Sequence, residues 1–317
     1  MDGHLATPQN CAAGEGKARE GQQTAAEENR PVERGREEVK KLFKWPGGKT
    51  SELKRIQSLL PPTFTQVVEP FAGSAALSFH LELPAVINDL DPQVANFYRC
   101  LQQDHQRLHD LIESDRHCPY MLRDDPRRSS TRTLEDAYYE ARSRLRFKGE
   151  PMQEASDFYV TRALAFSGMI RNSSKGGSNV PYGWYRHFKN TVTAEAAELV
   201  KGWKVLQGSY EAVEPHLTET SFVFLDPPYR GRAGYQTPDW TDEDHGKFLD
   251  WVTRLKCKWL LVHSDDPVYR DRLQGYHIVA GCHTYAQNFK GRDNGGSRVG
   301  HLYISNYEPS QTNHVTV

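Results

Sequence analysis

Three apolar runs, each ending abruptly in polar or stiff residues, frame this chain. Gln66-Val67-Val68 leads into Glu69-Pro70-Phe71-Ala72-Gly73-Ser74, Ala85-Val86-Ile87 ends in Asn88-Asp89-Leu90-Asp91-Pro92, and Ser221-Phe222-Val223-Phe224-Leu225 stops at Asp226-Pro227-Pro228-Tyr229. Short continuous apolar runs bounded by breakers predict strands buried on both faces. A helical pattern follows the first run. Further on, Thr241-Asp242-Glu243-Asp244 predicts the capped start of a helix through Leu255, and Trp259 to His263 predicts another strand. Tyr276 to Ala280 and His301 to Ser305 read as a closing hairpin. Strands alternating with helices predict an α/β sheet.

The third run carries the sharpest chemistry. Two prolines leave the backbone after Asp226 few conformations, so a carboxylate, a stiff turn and the Tyr229 ring are delivered together at the carboxyl edge of a sheet, where open α/β folds bind ligands. A planar substrate with an exocyclic amino group, such as adenine, suits that set. Asp226 and the Pro227 carbonyl would each accept one amino hydrogen, freeing the nitrogen lone pair for an electrophile, and Tyr229 would stack on the ring. A bland strand-to-turn junction is the competing reading of the tetrapeptide alone.

The first two runs add a cofactor. Small residues around Gly73 let backbone approach a ligand closely, and the acids after Ile87 fall about one βαβ step later, where a ribose diol is gripped. Only Gly73 stands where a dinucleotide fingerprint wants three glycines, so a cofactor with a ribose but no phosphate fits better. Lys44-Trp45-Pro46-Gly47-Gly48-Lys49-Thr50 invites a phosphate-loop reading, but that loop needs a glycine at position 43, which is Phe. Lys49 can instead pair with a carboxylate, and Trp45 can cover an aromatic or cationic ligand.

Taken in order, the Trp-x-Gly-Gly-Lys box, Glu-Pro-Phe-x-Gly, Asn-Asp-x-Asp, a basic middle segment and Asp-Pro-Pro-Tyr resemble the DNA adenine methyltransferase family, within the alpha group of amino-methyltransferases. The resemblance covers roughly residues 42 to 307. It implies S-adenosylmethionine as cofactor and direct in-line methyl transfer to the 6-amino group of an adenine flipped from duplex DNA. It also implies a Rossmann-like class I methyltransferase sheet with a closing β-hairpin, plus a smaller, mostly helical target-recognition domain with a hairpin. The expected division is a disordered tail over 1–40, a catalytic domain over 41–98 and 192–310, and a target-recognition domain over 99–191. Carried over residue by residue, Trp45, Lys49, Phe71, Gly73, Asp89 and Asp226 bind the cofactor, with Lys49 near its methionine carboxylate, and Asp226, Pro227, Pro228 and Tyr229 form the catalytic box. Ala75 stands where the family usually has a second glycine, and Pro46 where a small residue is usual.

Residues 157 to 185 are similar to the family's recognition hairpin. Phe166, Ser167, Met169, Arg171, Pro181 and Tyr185 are the DNA-binding expectations there, and Lys44 of the opening box and Arg298, in a glycine-rich loop from Phe289, are two more. Arg171 reads a guanine edge or contacts phosphate, Met169 and Tyr185 wedge into the stack, and Arg298 binds phosphate or belongs to a plain hairpin loop. Ser167 and Met169 replace the usual Asn and Leu, and Ser178 replaces Phe, so a GATC target is not implied.

Composition narrows the partners. Across 317 residues the net charge is −1, yet residues 116 to 190 hold 14 Arg and Lys against 8 Asp and Glu, enough for a phosphate-contacting patch or a solvated helical face. Double-stranded DNA is the expected partner, with a cognate restriction enzyme admissible and a monomer or weak dimer as the assembly. Five cysteines without close pairs or metal-type spacing imply a reduced protein with no metal. His105 and His109 read as surface histidines. The sequence has neither a membrane-length apolar stretch nor an apolar signal core, so the expected site is the cytoplasm of a bacterium, or of a bacterial host carrying a phage. The first forty residues have almost no large apolar side chains, a composition that does not fold alone. Two alternatives stay open: a methyltransferase of the same fold acting on RNA, cytosine or protein amino groups, or a non-catalytic DNA-binding relative.

Overall fold

The computed structural model describes residues 41–117, 133–147, 149–171, 177–231, 240–285 and 297–309. The expected tail over 1–40 lies outside them. Seven strands form one sheet: β1 (Gln66–Glu69), β2 (Ala85–Asp89), β3 (Lys204–Gln207), β4 (Ser221–Leu225), β5 (Lys258–Ser264), β6 (His277–Tyr285) and β7 (Ser297–Ser305), in the order β3-β2-β1-β4-β5-β7-β6. The first five run parallel, and β7 lies antiparallel between β5 and β6. This is the Rossmann-like methyltransferase sheet with its closing hairpin. The order reverses between β1 and β4, so the carboxyl ends of β1, β2 and β4 open onto one crevice at the switch point.

The strand β4 shows why the apolar runs are continuous. All five of its residues are buried, and side chains alternate across the pleat. Phe222 and Phe224 pack with Leu53 and Ile56 of α1 (Leu53–Gln57) and Leu77 of α2 (Ala76–Leu81). Val223 and Leu225 pack on the other face. There they meet Phe248 and Trp251 of α8 (Asp242–Arg254) and Tyr269 of α9 (Pro267–Arg272). Thr241 caps α8 through the Asp244 amide while the Asp244 carboxylate returns to the Thr241 amide, a reciprocal pair.

Between β2 and β3 the chain makes α3 (Pro92–Gln103), α4 (His105–His117), α5 (Leu134–Arg144), α6 (Pro151–Leu164) and α7 (Ala194–Val200). Asp91 caps α3 with Pro92 at its first position. Phe97, Tyr98, Tyr138, Phe158 and Tyr159 of these helices share a core with Phe79, Ala85 and Ile87 of the sheet layer. His109 is half-buried rather than superficial, its Nδ1 donating to the Val192 carbonyl at 2.8 Å. After α6 the chain doubles back: Phe166 N donates to Pro181 O at 2.9 Å, Asn179 N to Arg171 O at 3.0 Å, and Ala165 bridges Tyr182 antiparallel. The hairpin is therefore present, with 172–176 outside the described residues. Among the described residues no helix is long and apolar enough to cross a membrane, and no group of three or more metal-ligating side chains forms.

Candidate active site

A cavity of about 340 Å³ occupies the crevice at the carboxyl edge. Trp45, Lys49, Phe71, Asp89, Asp226 and Pro228 all line it, so six of the nine residues expected to bind the cofactor or form the catalytic box meet in one place, while Gly73, Pro227 and Tyr229 are not part of its lining. The opening box bends at Gly47 (φ +72), and Gly48 N donates to Trp45 O at 3.1 Å. Its Lys49 then starts a 3-10 turn through Glu52. Lys49 Nζ donates to Gly47 O at 2.7 Å and to Asp226 Oδ1 and Oδ2 at 2.6 and 2.5 Å. Of the two sequence options for Lys49, a carboxylate partner within the protein is the one the structure displays. Burial pushes the Asp226 carboxyl upward and the Lys49 ammonium opposes it.

Glycine at 73 is required twice over. Its φ is +47, a left-handed conformation that side chains disfavour, and a Cβ there would stand 2.4 Å from Trp45 Cδ1. Gly73 N donates to Asp89 Oδ2 at 2.8 Å, and Asp91 N donates to Asp89 Oδ1 at 2.9 Å. Ala75 takes the position of the family's second glycine at φ +46, so the loop keeps its left-handed turn without it. Burial raises Asp89 to about 6 against those amide bonds. Glu69 ends β1 and accepts from Ser78 N and Oγ at 2.8 and 2.5 Å, holding the first turn of α2; burial lifts it to about 7.

The sequence reading missed part of the wall. Tyr210, Trp240 and Phe71 form an aromatic corner with ring centroids 5.7 to 5.8 Å apart, all facing the cavity. The signal for Tyr210 was faint, a Gly-Ser-Tyr after a four-residue strand, whereas Trp240 precedes the legible Thr241 cap. Asp91 also lines the cavity, and its Oδ2, like Asn88 Oδ1, is buried without a protein partner. Ile170 of the hairpin is also part of the wall, which ties that hairpin to the same cavity.

Tyr229 is turned inward at 5 % exposure. Its ring lies 4.8 Å from His263 and 5.6 Å from His301, with Lys49 Nζ 5.2 Å from its centroid. His263 is a neutral imidazole: Nδ1 donates to Ser264 O, Nε2 accepts from Arg230 N, and burial holds its pKa down to about 4. Beneath Lys49, Glu52 Oε2 accepts from His301 Nδ1 at 2.8 Å and from Tyr303 Oη at 2.5 Å.

The DNA-binding expectations gather around the hairpin. Lys44 Nζ lies 3.6 Å from the centre of the Tyr185 ring and donates to Ala163 O at 3.2 Å. Arg171 Nε donates to Asn179 Oδ1 at 2.7 Å, while Phe166, Ser167, Arg171 and Pro181 are exposed and Met169 and Tyr185 are half-buried. Gly168 is left-handed at φ +66, with Lys44 Cβ 3.0 Å from where its Cβ would be. Arg298 opens β7, and its side chain lies outside the described residues.

A methyltransferase sheet with a cavity at its switch point, walled by aromatics and carboxylates, defines the class. Residues 45–287 match the model of the D12 class N6 adenine-specific DNA methyltransferases. The chain is 31% identical over 285 residues to the type II methyltransferase M.CviBI of Paramecium bursaria Chlorella virus NC1A, covering 85% of this chain and 100% of that one. It is similar to the type II methyltransferase M.MjaIII of Methanocaldococcus jannaschii (27% identity, 85% and 100% covered) and to a DNA adenine methylase of Vibrio cholerae (26%, 80% and 92%). The protein belongs to the D12 class and is an adenine-specific DNA methyltransferase.

Proposed function

We propose that the cavity binds S-adenosylmethionine and that Asp226-Pro227-Pro228-Tyr229 presents an adenine, rotated out of duplex DNA, to it. The observation that carries this reading is the convergence of Asp226 with Trp45, Phe71, Asp89 and Asp91 on one cavity. The residues fit that cofactor. Asp89 and the unpartnered Asp91 Oδ2 offer acceptors for ribose hydroxyls, the Phe71–Tyr210–Trp240 corner offers a slot for a purine, and Trp45 lies where it would cover a sulfonium. About 340 Å³ falls within the range of small-molecule sites. When bound, the cofactor supplies an electrophilic methyl group on a sulfonium sulfur.

The protein's part is positioning. An adenine inside a duplex is out of reach, and extruding it costs a few kcal/mol of unstacking. Asp226 keeps the capacity to receive it, because a carboxylate has about four lone-pair sites and Lys49 takes only some. One amino hydrogen goes to Asp226, the other to the Pro227 carbonyl, and the nitrogen lone pair is thereby turned out of conjugation. Lys49 anchors Asp226 while staying within the cavity wall, where it would hold the cofactor's carboxylate. Tyr229 would turn from its inward position to stack on the base. We assign target recognition to residues 99–191, with Lys44, Phe166, Ser167, Met169, Arg171, Pro181, Tyr185 and Arg298 as DNA contacts.

Asp226→Ala tests the assignment. Single-molecule sequencing of plasmid DNA from methyltransferase-free cells expressing the wild type should show modified adenine at one short motif, and the variant should leave that motif unmodified. Calorimetry should find cofactor binding largely intact in the variant. Activity within a few-fold of wild type would refute the role of Asp226, and folded, cofactor-binding wild type that leaves DNA unmodified would point to RNA or protein amino groups.

A further inference from the structure

We propose that Trp184 is a nucleobase-stacking residue, its indole lying against a base left unstacked beside the extruded adenine; the inference rests on the duplex-DNA reading above. Trp184 is 73 % exposed and sits at φ +59. Bulky residues rarely adopt that left-handed conformation, which strains the backbone. The surrounding turn imposes it. Tyr182 is buried and donates its hydroxyl to the Tyr185 carbonyl, Gly183 N donates to Leu164 O at 2.9 Å, and Tyr185 Oη donates to Ala165 O at 3.2 Å. Gly183 has no room for a side chain, since a Cβ there would lie 2.3 Å from Tyr185 Cε2. Between those anchors the indole is thrown outward. A glycine would satisfy this backbone without strain, and the ring's contact with the fold is edge-on to Tyr182 at 6.2 Å, which leaves most of the indole open.

Its neighbours indicate what it meets. Across the Ala165–Tyr182 bridge stands Phe166, 39 % exposed. The half-covered Tyr139 ring carries the Arg142 guanidinium 4.7 Å above it, and its hydroxyl accepts from Tyr182 N at 3.5 Å. Exposed aromatic faces interleaved with cations are how proteins hold unstacked bases along a charged backbone. The rim also adjoins the reaction centre, because Ile170 of the same hairpin forms part of the cavity wall. The hairpin that carries Trp184 thus also reaches the cavity, and a base exposed there by opening the duplex is the partner proposed for the indole.

The test uses the full chain and a duplex bearing the motif that the wild type methylates, with 2-aminopurine at the target adenine. Trp184→Gly should melt at the same or a higher temperature than wild type, because glycine relieves the strained φ. Its affinity for the cofactor should be unchanged. Its affinity for the duplex should fall by about 5- to 150-fold, the range expected for one lost base–aromatic stack, with a matching loss of the 2-aminopurine fluorescence rise. Trp184→Phe should recover most of both signals. Duplex affinity and fluorescence equal to wild type in Trp184→Gly and Trp184→Ala would overturn the proposal. So would a lower melting temperature with cofactor and duplex binding lost together, which marks a structural residue. A wild type that methylates no duplex would fail the underlying reading before any variant is compared.

Discussion

Asp89 both ties two loops together and lines the cavity proposed for the cofactor. Its two oxygens accept from Gly73 N and Asp91 N, which pins the loop after β1 to the end of β2, yet the same carboxylate faces the cavity. Burial outweighs the amide bonds and raises it to about 6. A ribose hydroxyl donates best to the ionised form, so acid removes the acceptor. The part of the S-adenosylmethionine affinity that Asp89 contributes, measured by calorimetry, should be lost as pH falls through about 6, approaching tenfold per unit as the carboxyl protonates. Glu69, raised to about 7 by burial in the same cavity, adds its own titration above that window. Asp89→Asn separates the two: it should bind weakly at every pH and lose the step near 6. A step that survives in Asp89→Asn would assign the titration to another group.

At the scale of elements, Glu52 links the beginning of the chain's fold to its end. The 3-10 turn that carries Lys49 also carries Glu52, whose carboxylate takes bonds from His301 and Tyr303 on β7, all three side chains buried. Burial pushes Glu52 upward, but the His301 and Tyr303 bonds and the Lys49 charge outweigh it and hold it at about 2. A carboxyl depressed in the folded state contributes stability above its unfolded pKa of 4.5, and that contribution drains away as pH falls towards 2. Two and a half units correspond to roughly 3 kcal/mol. Denaturant melts of Glu52→Gln should show a loss of that order at pH 7, shrinking by pH 3. An equal loss at both values would mean that packing rather than charge is what the substitution removes.

Strands β1, β2, β4 and β5, the α8 cap and the closing hairpin were legible in the sequence because each is a local pattern, a buried run or a cap at fixed spacing. The strand β3 was not, since Lys204–Gln207 is half exposed and edge-placed, with no apolar run. The cavity-lining residues Trp45, Lys49, Phe71, Asp89 and Asp226 were legible from ordered motifs. The Glu52–His301–Tyr303 set was not, because it joins positions about 250 apart and no short-range pattern marks it. The place of Tyr229 in the free protein, inward against His263 and His301, was not legible either, because those ring neighbours lie more than thirty residues away in the chain.

For the whole molecule, a net charge of −1 supplies no general attraction to DNA, so association must rest on where the charge lies. The segment from 116 to 190, with 14 basic against 8 acidic residues, contains the hairpin whose Ile170 lines the cavity. Phosphate contacts would therefore concentrate around the target base. Each neutralised phosphate releases counterion and adds about 0.9 to the slope of log affinity against log salt. Titrating duplex binding between about 50 and 200 mM salt should give a slope steeper than about −3, a patch of a few phosphates rather than the longer footprint of a strongly basic protein. Substituting Trp184 should lower affinity at every salt concentration and leave the slope unchanged, because stacking displaces no counterion, whereas neutralising Arg142 or Arg171 should reduce the slope by about 1 each if they meet phosphate and leave it nearly intact if they read base edges. A slope near zero for the wild type would remove the basic segment from the DNA interface and require the protein to hold its duplex by the hairpin's aromatic faces alone.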